Sequence, residues 1–471
     1  MAAQPDVTQS WRLGALELAA AYAAGTLTPL AVVEALGERI ARLNPELNAF
    51  ITFNPAAAEE AAAATARWAE GRPLSPLDGV PLTVKDHLNT QGLATTWGNR
   101  ALAGNIASED ELAVSRCRAA GLVILGKTNV PEFTLEGYTD NPLFGVTRNP
   151  WNPALTPGGS SGGAVAALAA GLGPLALGTD GGGSIRRPAS HTGLVGLKPS
   201  IGAVARVGSL PQVMLDFEVV GPLARSAADA EALYRIISGP DVRDPASWRT
   251  RPEAPAGKLR IHYVPRFGDQ PLHAEIAGNV EQALAVFARQ GHQVTRGELP
   301  FSLEPVDKFW PMLGAAAVAA IFRAFPETEP EAAGRFRDMA GQGRQLSASD
   351  YLCGLDGIRR FRRTVAEAFV DIDIIVTPSA AALPWPAEQP YPGEIDGRPV
   401  GPRGHAIYTG WVNACGHPAI NLPAAPSAAG LPIGFQLVAG MSQDELLLRL
   451  AADYERESGR GWQWPALAET K

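Results

Sequence analysis

Two serine-bearing, glycine-rich segments of the 471-residue chain have the composition of a reaction centre: Gly158-Gly159-Ser160-Ser161-Gly162 and Gly178-Thr179-Asp180-Gly181-Gly182-Gly183-Ser184-Ile185-Arg186. Three consecutive glycines let backbone N–H groups approach a ligand with no side chain in the way, which suits an oxyanion hole beside a serine nucleophile at Ser184. Serine needs a base to become a nucleophile. His191 is the one histidine near Ser184 in sequence, and no Ser-His-Asp order stands out. A lysine serves instead where burial lowers its pKa. Lys85 is the candidate, because it follows the apolar run Val80-Pro-Leu-Thr-Val84 and so ends a buried strand, with Asp86 beside it. Taken singly, each of these features also reads as an ordinary turn, a linker or a solvated lysine.

Other chemistries compete for the same residues. Gly121-Leu-Val-Ile-Leu-Gly126-Lys127-Thr128 satisfies the spacing of a phosphate-binding loop. Its context is wrong, since the apolar strand lies between the glycines and Pro131 interrupts the stretch where a helix should open. Gly158 to Gly162 fits the GxSxG nucleophile elbow, but prolines 150, 153 and 157 precede it where a buried strand is required. Small apolar residues come next, so these serines belong to a turn at a helix N-terminus. Cys415-Gly-His417 pairs a thiol with a base but reads better as a turn before Pro418, and Cys117 reads as core. Phe309, Trp310, Met312 and Phe322 could line an acyl pocket, though their helical spacing favours a core face. Arg186 is read as a brace for the serine loop, and Arg187 receives no role.

The elements that must position these groups alternate along the chain. Thr28-Pro29 opens a helix expected to end at Asn44-Pro45, and a second runs from Asn54-Pro55 to Gly71. A strand at Val80 to Val84 comes after them, then a helix opened by a capping box from Ser108 to Glu111 and closed at Gly121, then the run Leu122 to Leu125. Helix and strand in alternation imply a parallel or mixed sheet flanked by helices. Beyond a proline-rich stretch, Gly239 to Gly257, a strand is expected near Leu259 to Val264 and a helix from Ala274 to Gln290. Residues 301–368 read as mainly helical, with strands near Asp373 to Val376 and Ile433 to Leu437.

Composition excludes several classes. With 46% hydrophobic and 19% charged residues, neither extended disorder nor a membrane protein fits. A net charge of −8 offers no general attraction for nucleic acid or an anionic membrane. Apolar runs such as Met312 to Phe322 are too short to span a bilayer, and Met1 to Gly25 lacks the basic and apolar regions of a secretion signal. Three scattered cysteines without a CxxC fit a reducing cytoplasm, and seven histidines never fall at HxxxH spacing, so neither disulfides nor metal are expected.

The residues also carry a resemblance. Gly79 to Asp86, Gly126-Lys-Thr-Asn129, Phe144 to Pro150, Pro157 to Gly163, Gly178 to Pro188, Gly193 to Pro199 and Gly430 to Gln436 together resemble the amidase signature family. That resemblance implies a single α/β domain over residues 1–471 with a large mixed sheet flanked by helices, a signature core at about 75–225 and a variable, mainly helical segment at about 301–368. It implies a Ser-Ser-Lys triad in which Lys85 is the base, Ser160 the bridging serine, joined to Gly159 by a cis peptide, and Ser184 the nucleophile. Gly181, Gly182, Gly183 and Ser184 would supply the oxyanion amides, Thr134 would lie near the scissile carbonyl, and Ser161, Asp180 and Arg186 would support the site. The expected activity is hydrolysis of a small-molecule carboxylic amide to the acid and ammonia or amine, in the cytoplasm, without metal or organic cofactor. A homodimer is compatible with the resemblance. The glutaminase-like A-subunit of a tRNA-dependent amidotransferase shares the motifs and is the alternative, and a nucleotide-binding protein is the remote third.

Overall fold

In the computed structural model, which describes residues 6–469 apart from 251, 254 and 256, thirteen strands alternate with helices. The first five residues of the stretch read for a secretion signal, and three positions of the proline-rich stretch, lie outside the described residues. The strands are β1 (Phe50–Phe53), β2 (Pro81–Lys85), β3 (Val123–Thr128), β4 (Leu175–Asp180), β5 (Val195–Lys198), β6 (Val219–Ala224) and β7 (Arg260–Tyr263). They continue as β8 (Gln293–Arg296), β9 (Ile374–Pro378), β10 (Glu394–Ile395), β11 (Arg398–Pro399), β12 (Ala419–Pro423) and β13 (Gly434–Ala439). Eleven of them form one mixed sheet in the order β1-β3-β2-β4-β6-β5-β12-β13-β9-β7-β8, and β10 and β11 form a separate hairpin. The chain is therefore a single α/β domain built on a large mixed sheet flanked by helices.

The parallel part of the sheet positions the site. β2 lies between β3 and β4, parallel to both, with Lys85 opposite Thr128 and Val84 opposite Leu177. Parallel neighbours need crossover connections. The helix Leu112–Ala119 lies on the path from β2 to β3, and the helix Gly162–Ala169 on the path from β3 to β4. All five residues of β2 and all eight of the helix Gly162–Ala169 are buried. That helix is made of glycine, alanine, valine and leucine because it is pressed against neighbouring backbone: a side chain at Gly163 would begin 2.3 Å from the Asn129 nitrogen. Lys85 and Asp180 thus end adjacent parallel strands, and in open α/β sheets ligands gather at those carboxyl ends.

Several boundaries differ from the sequence reading. The helix Pro29–Leu47 passes through Pro45 and stops at Asn48, whose left-handed backbone (φ 49°) ends it, while the Asn44 side chain accepts from the amides of Ala49 and Phe50. The expected capping box at Ser108 to Glu111 is not formed. Glu111 itself precedes the helix Leu112–Ala119 without a side-chain cap, because its carboxylate is taken by Arg206 at 2.5 Å. Residues 301–368 are mainly helical as expected, in the helices Glu304–Ala324, Thr328–Glu331, Gly334–Gln345 and Ala348–Ala368. Phe309 and Phe322 lie in the core, whereas Trp310 faces a cavity. No helix among the described residues is long and apolar enough to cross a membrane.

Candidate active site

Lys85 closes β2 with its side chain fully buried, and its Nζ lies 2.8 Å from Ser160 Oγ, 2.8 Å from Thr179 Oγ1 and 3.2 Å from the Thr179 carbonyl. No carboxylate lies within ion-pair distance of it among the described residues. Burial disfavours the ammonium, and although Glu218 and Asp180 pull the other way, the pKa falls from 10.5 to about 7. Lys127, one strand away on β3, is equally buried but bonds the Leu88 carbonyl at 2.8 Å and Thr95 at 3.0 Å, with Asp86 at 3.4 Å. Strand β3 runs through the sequence that matched a phosphate-binding loop, so Lys127 is committed to structural partners rather than to a phosphate.

Ser160 and Ser161 lie in the turn before the helix Gly162–Ala169, and no strand leads into them, so this is not a nucleophile elbow. The peptide joining Gly159 to Ser160 is cis. Ser161 ties this turn to the second one, since its amide donates to the Ser184 carbonyl (3.2 Å) and its hydroxyl to the Thr179 carbonyl (3.4 Å). Ser184 faces a cavity of about 460 Å³. Its hydroxyl makes no hydrogen bond to Ser160 among the described residues.

Asp180, the last residue of β4, shapes the glycine turn. Its carboxylate accepts from the amides of Gly183 (2.7 Å) and Ile185 (3.1 Å) and from Arg186 Nε and Nη2 (3.0 and 2.9 Å). Burial opposes that charge, but Arg186 and the Asn413 amide outweigh it and hold the carboxyl far below the usual carboxylate range. Arg186 is in turn held by Gln436 (2.7 Å) and Asn413 (2.6 Å). One expectation is corrected here: Gly183 cannot offer its amide to an oxyanion, because Asp180 already occupies it. The amides of Gly181, Gly182 and Ser184 have no acceptor among the described residues and remain open to a ligand. Gly183 is required for the turn itself (φ 114°), and a side chain there would begin 2.2 Å from Thr409 Oγ1.

Thr134 lines the same cavity, with its hydroxyl donating to the Phe133 carbonyl at 2.6 Å. Sequence reasoning missed His87, Glu218 and the guanidinium between Glu218 and Glu111. His87 and Glu218 both line the cavity, 3.5 Å apart, and Arg206 bonds Glu218 at 2.8 Å. Burial drives the His87 pKa to about 4, so a neutral imidazole, stacked on Trp97 at 5.4 Å, sits beside the lysine. Its position two residues past Lys85 was the signal that could have found it. His191 takes no part, with its Nε2 lying 3.3 Å from the Ala382 carbonyl. Cys415 and His417 do not form a thiol–base pair: the cysteine bonds Val412, the histidine Ala439, and burial pushes the thiol up to about 11.

Residues 31–448 match the amidase family. The chain is 35% identical to an acylamidase of Rhodococcus erythropolis, covering 94% of this chain and 95% of that protein. It is 32% identical to the glutamyl-tRNA(Gln) amidotransferase A-subunit of Alkaliphilus metalliredigens (strain QYMF), covering 97% and 98%. A solved bacterial aryl acylamidase of the amidase signature enzymes superposes with a TM-score of 0.88 at 28% identity, covering 98% of this chain and 99% of that one. With a cavity-facing serine turn and a buried lysine on this sheet, the chain belongs to the amidase signature family and is an amide-hydrolysing enzyme.

Proposed function

We propose that the protein is a freestanding amidase of the cytoplasm that cleaves a small-molecule amide through an acyl-enzyme on Ser184. The observation that carries this reading is the Lys85 to Ser160 contact: a lysine with a pKa near 7, unpaired by any carboxylate among the described residues, against a serine in the turn bonded to the Ser184 backbone. Neutral Lys85 takes a proton from Ser160 as Ser160 takes one from Ser184, and the Ser184 oxygen attacks the amide carbon. The open amides of Gly181, Gly182 and Ser184 bind the developing oxyanion. The proton returns to the leaving nitrogen, the amine departs, and water repeats the sequence on the ester to release the acid. Arg186 and Asp180 hold the turn and touch no reacting atom, and Ser161 joins the two turns.

The test is a panel of aliphatic, aromatic and amino-acid amides scored for ammonia or amine release, with purified Ser184→Ala as control. Turnover in the parent and its loss in Ser184→Ala is the expected result, whereas near-normal turnover in that variant removes the nucleophile assignment. The likeness to an amidotransferase component over nearly the whole chain favours a second reading, a glutaminase-like subunit. Copurification of partner proteins with the tagged chain from its own cells, with glutaminase activity dependent on them, would favour that reading.

A further inference from the structure

Beside the glycine turn, the cavity holds two guanidiniums that have no carboxylate within ion-pair distance among the described residues. Arg187, three residues after Ser184 and only 6% exposed, donates from Nη1 to the Gly182 carbonyl (2.8 Å) and to Thr409 Oγ1 (3.4 Å), yet its Nε is buried without a partner. No carboxylate lies within ion-pair distance of it among the described residues. Arg403, at the cavity rim, likewise has none, and its guanidinium lies 4.7 Å over the Trp310 ring. His405, 2% exposed and kept neutral by burial, lines the same wall with both ring nitrogens unpartnered. Burial, then the neighbouring Arg403, lowers the Arg187 pKa to about 9, as expected for like charges facing one another.

The acidic groups lining the cavity are each taken by another arginine, and Asp307, which attracts Arg403, lies beyond ion-pair distance of it. Glu136 pairs with Arg335 at 2.6 Å and Glu218 with Arg206 at 2.8 Å. A buried guanidinium with a free N–H is a site for a planar anion, since its donors match a carboxylate in a bidentate fork. Resting on the amidase reading above, we propose that the substrate is an amide that also carries a carboxylate, which Arg187 and Arg403 hold while the amide carbonyl lies at Ser184. The Arg187 bond to Gly182 fixes that subsite beside the reacting carbonyl, so the two groups of the substrate are close in its covalent structure.

The wild-type enzyme tests this directly with matched pairs. Succinamate against butyramide places the carboxylate on the acyl side, and N-butyrylglycine against N-propylbutyramide places it on the amine side. The expected result is a kcat/KM about tenfold to a hundredfold higher for the charged member of at least one pair, carried mainly by KM. In Arg187→Gln that ratio should fall to near one, in Arg403→Gln it should fall part of the way, and Arg187→Lys should recover part of it. Neutral members turned over as well as charged ones in both pairs would overturn the subsite while leaving a Ser184-dependent amidase intact. Equal loss on both members in Arg187→Gln would also overturn it. No release from any amide would sink the amidase reading, and the subsite with it. Should Arg187→Gln fail to fold, the parent ratio and the rim variant Arg403→Gln still decide.

Discussion

Beneath Ser184 the cavity floor comes from the ends of β2 and β4 and the turns after β3 and β4, and the side chains of Lys85, Asp180 and Arg186 there are tied to their neighbours. Lys85 bonds Ser160 and Thr179, Asp180 accepts from the turn amides, Arg186 and Asn413, and Arg186 also reaches Gln436, Asn413 and Thr409. The facing wall comes from the helices Glu304–Ala324 and Gly334–Gln345 and from residues 390–406, and it presents Trp310, Phe336 and Met339 with few hydrogen bonds. A saturated polar network allows one arrangement, because losing any member strands another in a low dielectric. The apolar part of the wall, away from Arg403 and His405, tolerates exchange at constant volume. On the proposed mechanism, chemistry is fixed in the floor and much of substrate choice in the wall, and substitutions on the two sides should fail in different ways.

The largest effect is expected at Lys85. Lys85→Ala should lower single-turnover acylation by roughly 10⁴, the upper end of what general-base catalysis supplies. In the parent, kcat/KM should rise about tenfold per pH unit below pH 7 and level above it, because only the neutral amine accepts a proton and its pKa lies near 7. A flat profile from about pH 6 to about 9 with chemistry limiting would remove the lysine from the mechanism.

Ser160→Ala ranks next, at about 10² to 10⁴. A serine that only shaped the turn would keep most of the rate as alanine, whereas one that relays the proton is needed in both acylation and deacylation. Single-turnover rates on an amide and on the matching ester separate these cases, since an ester leaving group needs less protonation. Parent-like rates on both substrates would leave Ser160 a structural role alone.

How much of this was legible depended on whether the signal was local. Lys85, Ser160 and Ser184 sit in short motifs, and the strand ending at Lys85 was marked by its apolar run, so these members of the floor could be picked out in the sequence, Ser160 only through the family resemblance. The wall could not. Phe309, Trp310 and Phe322 point in three directions around the helix Glu304–Ala324, and its packing against the helices Gly334–Gln345 and Ala348–Ala368 decides that Phe309 and Phe322 enter the core while Trp310 lines the cavity. Asp180 taking the Gly183 amide was equally hidden, because it depends on the turn's dihedral angles rather than on residue type. The expected capping box failed to form for the same reason, with a tertiary partner, Arg206, outcompeting a local one for Glu111.

Asp180→Asn sharpens the comparison through stability. The amide keeps one acceptor for the glycine turn but leaves Arg186 buried without its counter-charge, and breaking a buried pair costs about 3 to 5 kcal/mol. A clear fall in the thermal midpoint should accompany lost activity, unlike Ser184→Ala, which should melt like the parent. An unchanged midpoint would mean that Gln436 and Asn413 alone suffice to hold Arg186.

The smallest effect is expected in the wall, at Trp310. Its ring is half-buried, 6.0 Å from Phe217 and under the Arg403 guanidinium, and a side chain added at Gly182 would begin 2.8 Å from it. The indole therefore lies over the glycine turn without bonding to any reacting group. Trp310→Ala opens space beside the oxyanion amides yet leaves Lys85, Ser160 and Asp180 and their partners in place. Removing apolar contact worth about 1 to 3 kcal/mol should raise KM roughly tenfold for bulky acyl groups, with little change for the smallest. The maximal rate should stay within about threefold, because contacts made equally in ground and transition states alter KM and not kcat. If Trp310→Ala instead lowered kcat as Ser160→Ala does, with KM constant, the wall would have to be counted as part of the catalytic floor.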